Sequence, residues 1–219
     1  MPSPELIAWI TLFKEVLLGL AALFAISIGV YGIRAWKRDL VGKEVYIATK
    51  KLVRESHLLS KSAISLRNPI YISEKLHFTQ EDILHSTEIE RWSKSESKAY
   101  NIRIDKFVDA KESYSSAKLD LRVLVGSKVY EGFLPFDHLI GESLNRVLAY
   151  LELIHDERYV ASPESLAIIN AQKIMYPSKD LDDELTRRLQ DAREEAEKSL
   201  LNYLHRNGIR GYKVLRDTS

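Results

Sequence analysis

The sequence predicts an all-α protein: an N-terminal transmembrane helix continuing into an antiparallel bundle of about four to five helices. Three observations lead there. Residues 16–33, VLLGLAALFAISIGVYGI, form an 18-residue run without a formal charge. Downstream, apolar residues recur at spacings of three, four and seven, the period of a helix face. No strand-like alternation extends beyond a few residues, and there is no repeat or low-complexity tract. Averages over all 219 residues hide this division, because a mean hydropathy of -0.21 reads as an ordinary soluble domain. The expected organisation is an interfacial segment and membrane helix over residues 1–33, a cytoplasmic helical bundle over 34–207, and a flexible basic tail over 208–219.

The first element is the anchor. Eighteen residues at about 1.5 Å rise per residue span roughly 27 Å, close to the hydrocarbon thickness of a bilayer. Glu15 and Arg34 bound the run, and nothing within it is polar beyond Ser27 and Tyr31. Trp9 on one side, and Tyr31 and Trp36 on the other, are expected in the headgroup zone, where amphipathic rings are favoured. A cleaved signal peptide fits poorly, since Lys14 is outnumbered by Glu5 and Glu15 before the run and bulky or basic residues follow it. Arg34, Lys37, Arg38, Lys43, Lys50 and Lys51 follow the run against Lys14 alone before it, so the N-terminus is expected in the periplasm and the bulk of the chain in the cytoplasm. Leu6 to Phe13 is also apolar, which leaves Lys14 and Glu15 either at the outer interface or within the membrane. Ala21, Ala25 and Gly29 recur every four residues and form a small-residue face on which a second helix can approach closely.

Beyond the anchor, Val41, Val45, Ala48, Leu52, Leu59, Ala63 and Leu66 mark one face of a long helix. Asn68-Pro69 ends it, because proline disfavours helical geometry in the residue before it. Membrane and cytoplasmic helices are thus expected to be continuous over about residues 5–67. Ile70 to Phe78 reads as irregular. Thr79 and Asp82 resemble a capping box opening a second helical region that reaches Val125, with a break expected in the polar stretch Ser93–Ser97. Tyr100, Ile104, Phe107, Tyr114, Leu121 and Leu124 form its stripe, and Gly126 its stop. A third helix begins near Pro135 with Leu139, Ile140, Leu144, Val147, Leu148, Leu151 and Ile154 on its apolar face. Ser162-Pro163 is expected to cap a shorter helix ending before Pro177. The last helix is expected from about Asp180 to His205, with Leu181, Leu185, Ala192, Ala196 and Tyr203 inward and Gly208 as its stop.

Charge is segregated although 32 basic and 31 acidic residues nearly cancel. Residues 34–67 hold nine basic and three acidic side chains, a net of +6, whereas residues 128–177 hold four basic and seven acidic, a net of -3. The basic stretch is the expected cytoplasmic flank of an anchor and adjoins anionic lipid. Nucleic-acid binding would rest on it and on Arg206, Arg210, Lys213 and Arg216, which is too little, so no nucleic-acid partner is expected.

The constellations that carry chemistry are weak. With no cysteine, disulfide scaffolds, thiol catalysis and Cys-based metal sites are excluded. Glu152 and His155 have the Glu-x-x-His spacing of carboxylate-bridged metal bundles, but Asp82 and His85 form the only similar pair and no helix supplies further inward glutamates. A histidine near a helix C-terminus interacting with the dipole explains His155 as well. Gly42-Lys43 lacks the first glycine and the preceding strand of a phosphate loop. Ser95-x-x-Lys98 and Ser115-x-x-Lys118 lack the companion motifs of penicillin-recognising enzymes. No catalytic, cofactor or metal residue is therefore assigned.

Three short motifs nonetheless resemble a family of uncharacterised bacterial single-pass membrane proteins. They are Trp36-Lys-Arg-x-Leu40-x-Gly42-Lys43 after the anchor, Arg67-Asn68-Pro69 at the end of the first cytoplasmic helix, and Tyr100-x-x-Arg103 with the run to Gly126. The resemblance spans residues 10–205 and departs from the family at Ser93–Ser97. It implies an N-terminal anchor and a cytoplasmic antiparallel helical domain, and it supplies no activity. The expected function is a non-catalytic, membrane-anchored interaction or scaffold protein whose partners are the bilayer and either another protein or its own copies. A membrane-perturbing effector in stress or phage defence, motivated by Lys14, Glu15 and the small-residue face, is the first rival. An undetected enzyme is the second.

Overall fold

The computed structural model describes residues 4–155, 164–177 and 183–204, the side chains of 4–8, 10 and 11 excepted. Among these residues there are seven α-helices and no strands: α1 (Pro4–Leu66), α2 (Gln80–His85), α3 (Glu88–Val125), α4 (Lys128–Gly132), α5 (Leu134–His155), α6 (Leu166–Met175) and α7 (Glu184–Leu204). The two beyond the expected four to five are α2 and α4, of six and five residues. The expected cap at Ser162-Pro163, the start near Asp180, Leu181 and the tail from Gly208 lie outside the described residues. Within them, Ser165 caps α6 by accepting from the Ile168 N–H, and α6 ends at Met175, before Pro177.

The chain divides into two units, Met1–Glu44 and Val45–Ser219. In the first, α1 is apolar on all sides over residues 16–33, and between Leu12 and Leu40 every residue except Ala35 is exposed. In the second, α1 turns amphipathic. Val45, Ala48, Leu52, Leu59, Ala63 and Leu66 are buried, as their spacing predicts. The helix closes at Leu66 with tightened turns, Arg67 N–H to the Ile64 carbonyl and Asn68 N–H to that of Ser65, both 3.2 Å.

Ile70 to Phe78 is irregular apart from a 3₁₀ turn at Ile72–Glu74. The Thr79–Asp82 capping box is present, with the Thr79 N–H donating to the Asp82 carboxylate at 2.9 Å. A second box, Thr87 with Glu90, restarts the chain after extended Ser86, so the break falls there rather than at Ser93–Ser97. α3 runs unbroken through that polar stretch and buries Ser95, Glu96 and Ser97. Polar partners offset the loss of water. Ser95 Oγ accepts the Leu76 N–H at 2.9 Å, and the Ser97 hydroxyl lies 3.3 Å from His155 Nε2.

Gly126 ends α3 at φ 90° and ψ -176°, a conformation nearly closed to residues with a Cβ. α5 then packs against α3, α6 and α7, and α4 against α3 and α7. Phe107 and Leu121 from α3, Phe136, Val147 and Ile154 from α5, and Leu189 and Leu200 from α7 fill the core. Each contributes on the order of 1.5–3 kcal/mol by leaving water. On α5, Leu139, Ile140, Val147, Leu151 and Ile154 are buried as expected, whereas Leu148 is exposed.

Candidate functional site

Two features stand out: an apolar helix surface in the first unit and a buried polar junction in the second. On α1, Trp9, Tyr31, Arg34, Trp36, Lys37 and Arg38 are all exposed, the three rings at 71%, 72% and 67%. Ala21, Ala25 and Gly29 are exposed too, and a Cβ added at Gly29 would meet nothing within 4 Å. The 18-residue window of highest hydropathy averages 2.3, and none of it is buried. By length and composition this helix is able to cross a membrane.

The junction forms where α1 ends. Arg67 is 1% exposed, yet every face of its guanidinium is answered. Nη1 and Nη2 donate to the two Asp183 oxygens at 2.9 Å each, and Nε donates to the Met175 carbonyl at 3.0 Å. Asp183 also caps α7, accepting the Thr186 N–H at 2.9 Å. One cation thus joins the carbonyl end of α6 to the carboxylate at the amide end of α7, matching both helix dipoles. Burial alone would raise the Asp183 carboxyl, but the hydrogen bonds from Arg67 and Thr186 outweigh it and hold it down at about 2.

Arg103 is the second centre. It donates to the carbonyls of Ser65, Asn68 and Pro69, the open end of α1, and pairs through Nε with Glu74 at 2.9 Å. The hydrogen bond from Arg103 is the main reason the Glu74 carboxyl is held below its ordinary range. The Tyr100 hydroxyl donates to the Asn68 carbonyl at 3.2 Å. Arg67-Asn68-Pro69 and Tyr100-x-x-Arg103, noted separately in the sequence, are therefore halves of one joint.

Beside it lies a core of phenols. Tyr100 and Tyr150 meet edge to face at 5.6 Å, and Tyr150 and Tyr176 lie tilted at 6.4 Å. Gln172 donates to the Tyr150 hydroxyl at 3.1 Å, which in turn reaches a Glu96 oxygen at 3.5 Å. Burial pushes the Glu96 carboxyl up, against the pull of Lys75, Tyr150 and Arg103. Burial likewise raises the three tyrosines. Glu96 corrects the expectation that no helix supplies an inward glutamate. A third buried ion pair, Lys118 with Asp137, is completed by the Tyr114 hydroxyl at 2.8 Å and by the Tyr130 ring 4.1 Å from the ammonium.

The pairs read for chemistry are not brought together. Glu152 and His155 are both exposed rather than inward. His155 Nδ1 lies 2.7 Å from the Leu151 carbonyl, to which it donates, and Nε2 lies 3.3 Å from the Ser97 hydroxyl. His85 is exposed on α2, Ser115 is exposed, and Ser95 is engaged with the backbone. No group of three or more metal-ligating side chains occurs among the described residues. No protein family, curated protein or solved structure matches the chain.

Sequence reasoning missed the roles of Arg67, Arg103 and Glu96. One signal was available for Arg67, which directly follows the buried stripe Leu59, Ala63 and Leu66. Its place beside that stripe signals burial, but its partners, the Met175 carbonyl and Asp183, lie 108 and 116 residues away and leave no local signal of its role.

Proposed function

We propose that this protein is a membrane-anchored helical interaction protein, held in a bacterial inner membrane by residues 16–33 with its N-terminus periplasmic and its helical bundle cytoplasmic. One observation carries the reading. An 18-residue apolar window with no buried residue belongs to the same chain as a separately packed helical unit. A helix apolar on every side needs a solvent other than water, and the bilayer is the one whose thickness fits. The excess of Lys and Arg after the run supports the orientation. The exposure of Trp9, Tyr31 and Trp36 supports a role as anchors at the two interfaces.

A scaffolding role is supported by where the buried cations go. Arg67, Arg103 and Lys118 are engaged by helix ends and by Asp183, Glu74 and Asp137. They stiffen a scaffold that presents helix surfaces to another protein or a second copy. The face Ala21, Ala25 and Gly29 offers close helix approach within the membrane.

A photoreactive side chain at Ala25 or at Leu58 of the full chain, irradiated in intact membranes, tests this. Discrete higher-mass adducts are expected at one or both positions. A chain that remains uncrosslinked at both contradicts the interaction reading. A reporter after Ser219 that is active only in the periplasm contradicts the orientation.

A further inference from the structure

Two surfaces of the second unit stay uncovered by the bundle. One is the outward face of α1. Ile47, Lys50, Arg54, Leu58 and Lys61 follow one another at three, four, four and three residues, opposite the buried stripe, and all five are exposed. Lys50 and Lys61 carry no ion pair among the described residues, and Arg54 approaches only the adjacent Glu55, at 3.9 Å. The face is aliphatic and basic.

The other is the turn from Ile72 through α2. α2 buries none of its residues, and Ile72, Ile83 and Leu84 are 86%, 53% and 77% exposed. Such exposure on a loose loop would mean little, but this turn is fixed. Capping boxes stand at both ends of α2, and Arg91 donates to the carbonyls of Ile83 and Ser86. Glu81 and Glu88 flank the aliphatic residues with no ion pair among the described residues, while Asp82 and Glu90 are held in the capping boxes, with Lys94 nearby. This surface is aliphatic and acidic.

We infer that the α2 turn of one copy docks on the outward face of α1 of a second copy, placing Ile83 and Leu84 between Ile47 and Leu58 and setting Glu81 and Glu88 against Lys50 and Lys61. The occupant is a copy of this chain because the chain itself carries the complement in both respects, apolar and charged. Pairing α1 with α1 is disfavoured, since Lys50, Arg54 and Lys61 would meet their own copies. The reciprocal contact is self-complementary about a two-fold axis, the commonest way for identical chains to close. Confinement of anchored chains to one membrane raises their effective concentration, so a modest interface suffices. The inference rests on the self-association arm of the proposed function.

Charge exchange tests it on the full chain reconstituted in liposomes of neutral lipid at low ionic strength, with association followed by energy transfer between donor- and acceptor-labelled copies across a range of protein-to-lipid ratios. The wild type is expected to self-associate, less so at high salt. K50E/K61E alone, or E81K/E88K alone, sets like charge on like and is expected to weaken association by at least about tenfold. An equimolar mixture of the two variants restores both contacts and is expected to associate nearly as the wild type does. All substituted side chains are exposed, and circular dichroism verifies that each variant is folded. Wild-type association that neither variant weakens, or variants whose mixture stays apart, overturns the docking mode while leaving self-association standing. A wild type that is monomeric throughout overturns the inference and self-association together, whereas crosslinks to a different protein would still uphold the broader interaction reading.

Discussion

Before Glu44 and after Val45, the same helix solves two different problems. In the first unit its apolar side chains point outward in every direction, and none from Leu12 to Ile33 is buried. In the second unit it keeps one buried stripe, and the opposite face carries Lys50, Arg54 and Lys61. Composition alone separates the two. A uniformly apolar cylinder calls for lipid, whereas a striped one calls for partner helices. The buried charges sharpen the contrast. Among the described residues they occur only in the second unit, where Arg67 and Arg103 bind helix ends that apolar packing leaves unsatisfied.

That contrast predicts that the two units fail separately. The largest effect is expected from Arg67→Ala, which leaves Asp183 partly buried without its partner and should cost about 3–5 kcal/mol in denaturant unfolding. Membrane attachment should be unchanged. Arg67→Lys should rescue only part of the loss, because an ammonium cannot reproduce the two-pronged contact. The same pair sets the acid limit. A carboxylate held at about 2 contributes stability that is full above the ordinary carboxylate range and is lost as pH falls toward that value. Arg67→Ala should therefore flatten the wild-type decline in stability on acidification.

Next in size, Phe24→Arg places a charge at the middle of the apolar run. A cost of about 2.5–3.5 kcal/mol for membrane insertion is expected, read as a larger fraction extracted by alkaline carbonate. The unfolding transition of the bundle should not move. If either substitution disturbed both readouts equally, the division into two independent problems would fail.

Gly126→Ala is expected to be milder, about 1–3 kcal/mol, and confined to the second unit. An added Cβ meets nothing within 4 Å at Gly126, so the cost is backbone strain at φ 90° and not a clash. Thermal unfolding of the full chain measures it, and an unchanged midpoint would show that the turn is not strained by a side chain.

Glu96→Gln should have the smallest effect, and it is one of slope. Burial raises this carboxyl in the folded state, so the folded protein holds its proton more tightly than the unfolded chain does. Stability should then fall as pH rises from about 4.5 through the folded-state value, and level off above it. The amide removes that slope and keeps a partner for Tyr150. Unfolding midpoints between about pH 4 and 8 that run parallel for the two proteins would show that Glu96 is ionised at no cost.

What was legible in the sequence follows the same boundary. The anchor and the stripe Val45, Ala48, Leu52, Leu59, Ala63 and Leu66 could be read because hydropathy and period are local properties. Thr79, Asp82 and Gly126 were legible because caps and stops act within a turn. Arg67 could not be assigned its role, since its carboxylate partner lies 116 residues away. Ser95, Glu96 and Ser97 read as a solvated break for the same reason. Their partners Leu76, Tyr150 and His155 are brought to them only by tertiary packing. Phe136 and Tyr150 were also missed on α5, although both are buried.

If residues 16–33 lie in lipid while the bundle lies in water, two positions of one chain must meet different solvents, and the absence of native cysteine makes the measurement direct. Spin labels attached after Phe24→Cys or Val123→Cys in the full chain, reconstituted in liposomes, report collisions with oxygen and with a water-soluble nickel chelate. The label at position 24 is predicted to meet oxygen and be shielded from nickel, and the label at position 123, on the bundle, to show the reverse. Equal nickel access at both positions would contradict the account.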